Sequence, residues 1–442
     1  AEELGLPLYI VETVSRHRWF ELRHLMFVAQ GMAEHATWAA RCGVGYLPGI
    51  IHDEQPDLVV RLARKAAVVV ADLGALREDR LALKRLAVDS PCRVESIDGL
   101  GMLPVRVAER VFTTAHSFRR FLQKSLREHL LDAPAPSPKP GSRTPRWSNS
   151  ETNLPKSVTE TARVLLQAGR TSDPTLLAKH FGLSGAVVPA TGGSTAATRV
   201  VETFLRRKLP KYAQCRNHPD DDAVSGLSPW LHEGFVSPHE LFVRLADDCG
   251  WSPDYLGDDT RGSRQGWWGM PESHEAFLDQ LVTWRELGLN MCFHRDDYDE
   301  YASLPDWAQE TLESHAADPR PHIYSLERFA AADTHDPLWN AAQRQLQREG
   351  FIHNYLRMLW GKKILHWTRT PVEALAVMIE LNNRYAIDGN DPNSYSGIFW
   401  VLGRYDRAWG PKRPIFGKIR YMTSASAARK LRLKAYLERY AE

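Results

Sequence analysis

The sequence predicts an α/β domain at the N-terminus followed by a larger, all-helical domain. Three features of the 442-residue chain support this fold class. Short, β-branched apolar runs lie near the N-terminus, a stretch rich in proline and serine follows at residues 133–155, and most of the remaining sequence spaces its apolar residues as amphipathic helices do. A chain of this length fits two or three domains.

The N-terminal domain is expected to span residues 1–131 and to contain a Rossmann-like parallel sheet. Residues 8–11 (LYIV) and 66–73 (AAVVVADL) have the continuous apolar character of buried parallel strands. The stretch 19–40 between them has a helical pattern. Because the sheet would open only at residue 8, we expect its first strand, and with it some N-terminal sequence, to be missing from this chain.

Residues 132–193 are expected to link the domains, and residues 194–442 to form the helical domain. The candidate helices cover residues 194–208, 237–248, 274–289, 338–349, 351–369 and 371–384. Two of these helices begin with typical caps: Ser237 precedes a proline, and Thr370 opens a capping box that Glu373 would complete.

Composition excludes several classes of protein. Hydrophobic residues make up 43% and charged residues 25% of the chain, an ordinary globular balance. No apolar run reaches membrane-spanning length and no signal-peptide pattern opens the sequence, so we expect neither a membrane span nor secretion. The five dispersed cysteines form no CxxC pair and the histidines no HExxH pattern, which predicts a cytoplasmic protein without a metal site. P-loop, GxSxG and kinase motifs are also absent from the sequence.

Charge and tryptophan are both concentrated toward the C-terminus. Residues 401–442 carry eleven Lys or Arg and three acids, a local net charge of +8, whereas the whole chain has a net charge of +2. Such a segment can follow phosphates, with a solvated helix end as the alternative. Most of the 14 tryptophans follow residue 225, which favours a large aromatic core or a site that uses indoles.

Two groups of residues combine indoles with helical spacing. Gln280 and Trp284 lie four positions apart, so on a helix they share a face where an amide and an indole could hold a nucleobase. Trp360 and Trp367 lie seven positions apart on one side of another helix, and Trp339 belongs to a neighbouring segment. Indoles in series can relay electrons. For both groups, packing inside the core is the alternative.

Two polar segments could bind a heterocyclic ligand. Residues 225–232 (SGLSPWLH) place two hydroxyls and a glycine where a helix begins, which suits a pyrophosphate or serves as an ordinary helix cap. Residues 381–393 (LNNRYAIDGNDPN) are dense in short polar side chains that could hydrogen-bond the edge of a heterocycle or form Asx turns. Arg357, upstream, could pair with Asp388.

Taken in order, these motifs resemble the class II cyclobutane pyrimidine dimer (CPD) photolyases of the photolyase/cryptochrome superfamily. The motifs that carry the resemblance are SGLSPWLHEG, WREL, HDPLWNAAQ, YLRMLWGKKILHWT, LNNRYAIDGNDPNSYSGIFW, DRAWG and FGKIRYM. The resemblance covers residues 205–442, and extends more weakly across residues 60–131.

The resemblance implies a light-driven lyase, a monomer whose partner is damaged DNA. It implies flavin adenine dinucleotide (FAD), folded into a U in the helical domain. In this family the excited, reduced flavin donates an electron to a pyrimidine dimer that has been flipped out of the duplex, the cyclobutane ring splits, and the electron returns. Extraction of the dimer costs little because damaged bases stack poorly.

The resemblance also assigns roles to individual residues. The residues that would hold FAD are Tyr212, Ser225, Gly226, Leu227, Ser228, Arg357, Asn382, Asp388 and Asn393. The catalytic residues would be Gln280, Asn382 facing flavin N5, and the photoreducing relay Trp360, Trp339 and Trp367. The lesion would be bound by Arg216, Gln280, Trp284, Met358 and Trp400, with Arg407 and Trp409 filling the space left in the duplex.

The sequence departs from the family at the expected substrate site. Gln280 stands where the family has a glutamate, and an amide can hydrogen-bond but cannot transfer a proton. Glu233 replaces an aromatic residue, which is costly if its charge is buried without a partner. The loop after Trp400 is one residue shorter, which would bring Arg404 and Tyr405 next to the lesion pocket.

The N-terminal domain departs from the family as well. Residues 97–104 (IDGLGMLP) lack the family's His-Asn pair after the aspartate. This departure argues against a bound antenna chromophore, whether a deazaflavin or a folate.

Two functional hypotheses follow. The first is a CPD photolyase, with repair weakened by Gln280. The second is a photolyase-like flavoenzyme that has been reassigned to a small-molecule reaction or to cryptochrome-like light sensing. In the small-molecule case, we expect Arg404 or Glu233 to narrow the groove above the flavin. The retained DRAWG segment, Arg216 and the three relay tryptophans favour the first hypothesis, and the sequence leaves the requirement for light open.

Overall fold

The computed structural model describes residues 1–51, 57–131, 134–135, 144–148 and 154–441. Its strands are β1 (Tyr9–Ser15), β2 (Gly45–Ile51), β3 (Val68–Asp72) and β4 (Arg93–Ile97). The helices among these strands and shortly after them are α1 (Leu22–Cys42), α2 (Asp57–Ala63), α3 (Arg77–Asp89) and α4 (Ala115–Ser125). The predicted α/β region at the N-terminus is confirmed.

From residue 154 onward, the described chain is helical. The helices are α5 (Lys156–Thr171), α6 (Pro174–Phe181), α7 (Ser194–Thr203), α8 (Tyr212–Cys215), α9 (Ser228–His232), α10 (Pro238–Cys249), α11 (Glu272–Leu278), α12 (Arg285–His294), α13 (Asp306–Ser314), α14 (Leu326–Ala330), α15 (Pro337–Glu349), α16 (Asn354–Trp367), α17 (Pro371–Tyr385), α18 (Pro392–Val401), α19 (Ser424–Lys430) and α20 (Lys434–Arg439). None of the helices in the described ranges is long and apolar enough to cross a membrane.

The strands pair in parallel, as expected, but in two separate sheets within the described residues. β1 pairs with β2 from Tyr9 opposite Gly45 onward, and β3 pairs with β4 from Val68 opposite Arg93 onward. The prediction that the strands are buried is wrong for β3, because Val70 is 58% exposed. Helix α3, which connects β3 to β4, has no fully buried side chain, whereas the crossover helices of a doubly wound fold bury one face on the sheet.

Helices α5 and α6 lie in the segment predicted as a linker and pack onto α1. Leu165 and Ala168 of α5 and Leu177 of α6 are fully buried in one apolar cluster with α1. α5 approaches α1 closely, since a Cβ added at Gly169 would lie only 2.0 Å from the carbonyl oxygen of Ala29. The proline- and serine-rich stretch 133–155 lies largely outside the described residues.

The predicted helices of the C-terminal region are present, with two interruptions. Residues Phe204–Lys208 form a π-helical turn after α7, and residues Asp279–Trp284 form another between α11 and α12. The second turn, called the π turn below, falls inside the stretch predicted as one regular helix. A π turn inserts i→i+5 bonds into a helix and is frequent at functional sites.

The predicted caps are confirmed in part. The Ser237 hydroxyl accepts the N–H of Glu240 at 3.0 Å, and the Thr370 hydroxyl accepts the N–H of Glu373 at 3.1 Å. The Glu373 carboxylate, however, accepts the N–H of Arg369 at 2.7 Å instead of the N–H of Thr370. The cap therefore still satisfies the first turn of α17, but the reciprocal bond is shifted by one residue.

Candidate active site

Three tryptophans form a continuous buried series. The Trp360 and Trp339 rings lie 6.5 Å apart and nearly parallel, and the Trp339 and Trp367 rings lie 6.0 Å apart. All three side chains are at most 2% exposed. The Trp339 indole donates to the backbone oxygen of Trp360 at 3.0 Å, and the Trp360 indole donates to Gln343 at 2.9 Å. α15 thus inserts Trp339 between two indoles of α16, in the order that was predicted.

A network of amides organises the polar segment between α17 and α18. The Asn382 amide donates to the Asn383 side-chain oxygen at 3.1 Å, and the same oxygen accepts the N–H of Asn390 at 3.0 Å. The Tyr395 hydroxyl donates to the Asn390 side chain at 2.7 Å. Asn382 and Asp388 are 4% and 5% exposed, so both are buried. Asn383 is the hub of this network, and sequence analysis did not assign it a role.

Asn393 and Arg357 lie on either side of this segment. The backbone N–H of Asn393 donates to Asp391 at 2.7 Å, which is an Asx cap at the start of α18. Arg357 is half-buried on α16, and its Cδ would lie 3.8 Å from a Cβ added at Gly397 of α18. The ion pairs of the described residues include none between Arg357 and Asp388, so the pairing remains a prediction.

A charged cluster lies at the C-terminal end of α9. His232 Nδ1 lies 3.0 Å from a carboxylate oxygen of Asp391, and His232 Nε2 lies 3.7 Å from Glu233. Burial favours the neutral imidazole, but the hydrogen bond with Asp391 and the nearby carboxylates outweigh burial and raise the pKa of His232 to about 9. Burial raises the pKa of Glu233. Because the raised pKa of His232 favours the imidazolium, Glu233 has a cationic neighbour at 3.7 Å.

The predicted phosphate segment precedes α9. The Ser225 hydroxyl accepts the N–H of Leu227 at 3.5 Å, and α9 begins at Ser228. Gly226 has a φ of +70°, and a Cβ added there would meet no atom within 4 Å, so its outer face is open. Tyr212 is more enclosed: its ring packs edge-on against Phe277 at 5.6 Å, and burial raises the pKa of its hydroxyl.

Two of the residues assigned to the lesion, Trp284 and Trp400, are in contact at the π turn. Trp284 of this turn stacks on Trp400 of α18, with ring centroids 4.9 Å apart and planes 28° apart. Gln280, in the same turn, and Met358 are half-buried. Arg216 donates to the backbone oxygen of Ala276 at 3.5 Å in α11, the helix that leads into the π turn. The structure therefore brings Trp284 and Trp400 together, as expected of one pocket.

An exposed loop carries cations around an indole. The Arg407 guanidinium lies 4.6 Å from the Trp409 ring centroid, and the Arg420 guanidinium lies 5.3 Å from it. The Trp409 indole donates to Asp406 at 3.0 Å. Both arginines are exposed. Arg420 was not singled out from the sequence, although it lies in the FGKIRYM motif.

The expectation that Arg404 lines the lesion pocket is wrong. Its side chain is 1% exposed and points inward, where it donates to the backbone oxygen of Tyr298 at 2.8 Å and to the Ser303 hydroxyl. Its guanidinium also lies 3.7 Å from the Phe399 ring centroid. The shortened loop turns at Tyr405, whose φ of +65° is left-handed, and this places Arg404 inside the protein.

Known proteins of similar sequence are named as photo-lyases. The chain is 31% identical over 418 residues to a deoxyribodipyrimidine photo-lyase of Methanothermobacter thermautotrophicus, covering 94% of this chain and 83% of that protein. The chain belongs to the deoxyribodipyrimidine photo-lyase family. It is also 34% identical over 426 residues to a photo-lyase of rice, covering 94% of this chain and 77% of the relative.

One more relative and one solved structure are also similar to this chain. A photo-lyase of Potorous tridactylus is 43% identical over 239 residues, which cover 54% of this chain and 41% of that protein. A solved class III photolyase from Agrobacterium tumefaciens matches 98% of this chain and 80% of its own chain with a TM-score of 0.64 at 18% identity, which supports the fold. No family model matches the sequence. Membership of the photolyase/cryptochrome superfamily, a group of flavoproteins and lyases, is thus confirmed.

Proposed function

We propose that this photolyase-family chain is a class II enzyme that binds FAD and uses light to split cyclobutane pyrimidine dimers in DNA. The buried series Trp360, Trp339 and Trp367 is the observation that carries the proposal. Three contacting indoles with no solvent access can pass an electron, whereas hydrolytic chemistry has no use for them. The relatives are named for dimer-specific lyase activity.

The polar segment fits FAD by its donors and acceptors. A flavin ring edge alternates N–H and C=O groups, and the buried Asn382 amide and Asp388 carboxylate supply partners of both kinds. The open face of Gly226, next to the Ser225 and Ser228 hydroxyls, suits a diphosphate. When it is bound, reduced and excited by light, FAD supplies the electron for dimer cleavage.

The other residues would hold the lesion and the duplex. Trp284 and Trp400 offer indole faces on which a flipped base can stack. The Gln280 amide can donate a hydrogen bond to a pyrimidine carbonyl but has no proton to transfer. Arg407 and Trp409 lie together on the surface, where they can occupy the space left by the extruded dimer. The remaining exposed cations of residues 401–442 would neutralise phosphates.

The proposal is tested by repair of a UV-irradiated oligonucleotide under blue light, with reductant and a parallel dark sample. We expect dimers to disappear only in the light. Trp400→Phe should weaken repair, whereas Trp307→Phe, at a half-buried position outside the site, should not. Protein that holds reducible FAD but removes no dimers would refute the proposal.

One observation favours a second candidate. Because Gln280 lacks the proton of the family's glutamate, the chain would serve as a photolyase-like flavoenzyme with another substrate or as a light sensor. In that case light should still reduce the flavin through the indole series, with no loss of dimers and no preference for damaged DNA. Arg404 gives this candidate no support, since it lies inside the protein.

A further inference from the structure

The segment from α11 to α12 contains polar side chains that are nevertheless buried. Asp279, Glu286 and Asn290 all lie in this segment, and all three are buried. Buried polar groups are costly unless they have partners. Each of these three finds its partner in the N-terminal part of the chain, between residues 100 and 120.

Arg119 of α4 pairs with Asp279. Its Nε and Nη2 donate to the same carboxylate oxygen at 2.9 and 2.6 Å, and Nη1 donates to the backbone oxygen of Gly262 at 3.4 Å. The side chains are 5% and 11% exposed, so this is a buried ion pair. Removing one partner of such a pair strands a charge in the interior, which makes the pair sensitive to substitution.

Further hydrogen bonds between this segment and the N-terminal part of the chain follow along α12. The Glu286 carboxyl accepts the backbone N–H groups of Met102 at 2.7 Å and Leu103 at 3.2 Å. Asn290 accepts the N–H of Phe112 at 3.1 Å and donates to the backbone oxygen of Arg110 at 2.9 Å. α12 is thus fixed to the backbone of residues 102–112.

Asp279 is also the first residue of the π turn. The same turn also carries Gln280 and Trp284, and Trp284 stacks on Trp400. A π turn has a less regular hydrogen-bond pattern than an α-helix, so the surrounding structure must hold it in place. Arg119 binds Asp279 at the point where the backbone hydrogen bonds change from the α-helical to the π-helical pattern.

We propose that the N-terminal domain braces the lesion pocket, with Arg119 and Asp279 as positioning residues that hold the π turn so that Gln280 and Trp284 face the substrate. This inference rests on the proposed function of that pocket. It assigns the N-terminal domain a mechanical role in substrate affinity, which requires no antenna chromophore.

The test uses the double variant Arg119→Met/Asp279→Leu, because replacing both partners by apolar groups avoids an unpaired buried charge. Arg119→Lys is a second variant that keeps the charge but loses the two-point contact. The matched control is Arg80→Met: Arg80 also reaches from the N-terminal region to this segment, donating to the backbone oxygen of Cys292 at 2.7 Å and pairing with Asp296, but it lies far from the π turn.

Two readouts are measured on the full chain. Amide hydrogen exchange of residues 279–284 should be about tenfold faster in the double variant than in the wild type. The increase should be smaller in Arg119→Lys and absent in Arg80→Met. The dissociation constant for a dimer-containing oligonucleotide should rise about ten- to a hundredfold, while the flavin content stays at the wild-type level.

The outcomes separate this inference from the proposed function. Unchanged exchange at residues 279–284 in the double variant, or an equal effect of Arg80→Met, would overturn the brace. Faster exchange with unchanged dimer affinity would overturn its role in substrate binding. Wild-type protein that binds no damaged DNA would refute the proposed function, and the exchange measurement would still decide whether Arg119 and Asp279 hold the turn.

Discussion

The β3–α3–β4 unit and the four-helix region from α15 to α18 represent two extremes of packing in one chain. In the first, Val70 and Val88 are 58% and 75% exposed, and α3 buries no side chain. In the second, Trp339 and Trp360 are fully buried among other apolar residues. The N-terminal region is well packed where it contacts the helical region, at α4 and the loop before it. The difference shows that the N-terminal region is most tightly packed where it contacts the helical region, which is also where we propose that it supports the pocket.

The largest expected effect concerns stability in the two regions. Trp339→Ala removes a fully buried indole and should lower the free energy of unfolding by about 3–5 kcal/mol. Val88→Ala, on the exposed face of α3, should change it by no more than about 0.5 kcal/mol. Urea unfolding of both variants measures the contrast. A large effect of Val88→Ala would show that another element covers the β3–α3–β4 unit.

The second prediction concerns the boundary between the two regions. Burial is the main cause that raises the pKa of Glu286, from 4.5 to about 7, and the N–H groups of Met102 and Leu103 only partly oppose it. A raised pKa means that the folded state holds the proton of Glu286 more tightly than the unfolded state does. The protonated carboxyl therefore stabilises the folded state fully below pH 4.5, and this contribution is lost as pH rises through 7. The loss amounts to about 3 kcal/mol.

Urea unfolding between pH 5 and pH 8.5 tests this dependence. The decline should be smaller in Glu286→Gln, which does not titrate. The charges of Arg285 and Asp98 act on the same carboxyl in opposite directions, so Asp98→Asn is a useful second variant: it should lower the pKa of Glu286 slightly. A wild-type decline identical to that of Glu286→Gln would contradict the assignment.

The third prediction sharpens the difference between pocket and scaffold. Gln280→Glu restores a group that, with its carboxyl protonated, can transfer a proton to a pyrimidine carbonyl on which negative charge develops, which the Gln280 amide cannot do. Repair under blue light should therefore rise about tenfold, with flavin content unchanged. Gln265→Glu, at an exposed position, is the control. An unaltered repair rate would show that Gln280 does not contact the dimer.

The smallest effect is expected at the surface. Arg407→Ala should weaken binding to any duplex modestly and should reduce the slope of log affinity against log salt by about one. The exposed Arg163, which pairs with Glu160 on α5, offers a control whose replacement by alanine should leave the slope unchanged. Equal slopes for the wild type and Arg407→Ala would show that Arg407 does not contact a DNA phosphate.

Long periodic segments made the helices predictable from sequence. The predictions for α10, α15 and α17 match the observed bounds within a residue or two, because the apolar repeat, the caps and the flanking glycine or proline agree. β2 and β4 were missed. β2 contains Gly45, Pro48 and Gly49, which disfavour strands, and β4 is a five-residue strand with polar positions.

The site was predictable only where residues are neighbours in sequence or belong to a known motif. The order of the three tryptophans followed from the resemblance, and the structure places their rings in that order. The pair His232 and Asp391 was missed because 159 residues separate its members and no spacing rule connects them. The π turn was missed because it keeps the apolar spacing of an ordinary helix. Arg404 was misplaced because the left-handed turn at Tyr405 leaves no composition signal.

The absorption spectrum of the purified protein, before and after blue light with a thiol reductant, tests the central claim most directly. The account predicts a yellow protein whose flavin bands bleach under light, and a Trp339→Phe variant that keeps its flavin but bleaches far more slowly. Colourless protein that takes up no FAD on reconstitution, or bleaching that is equally fast without Trp339, would contradict it.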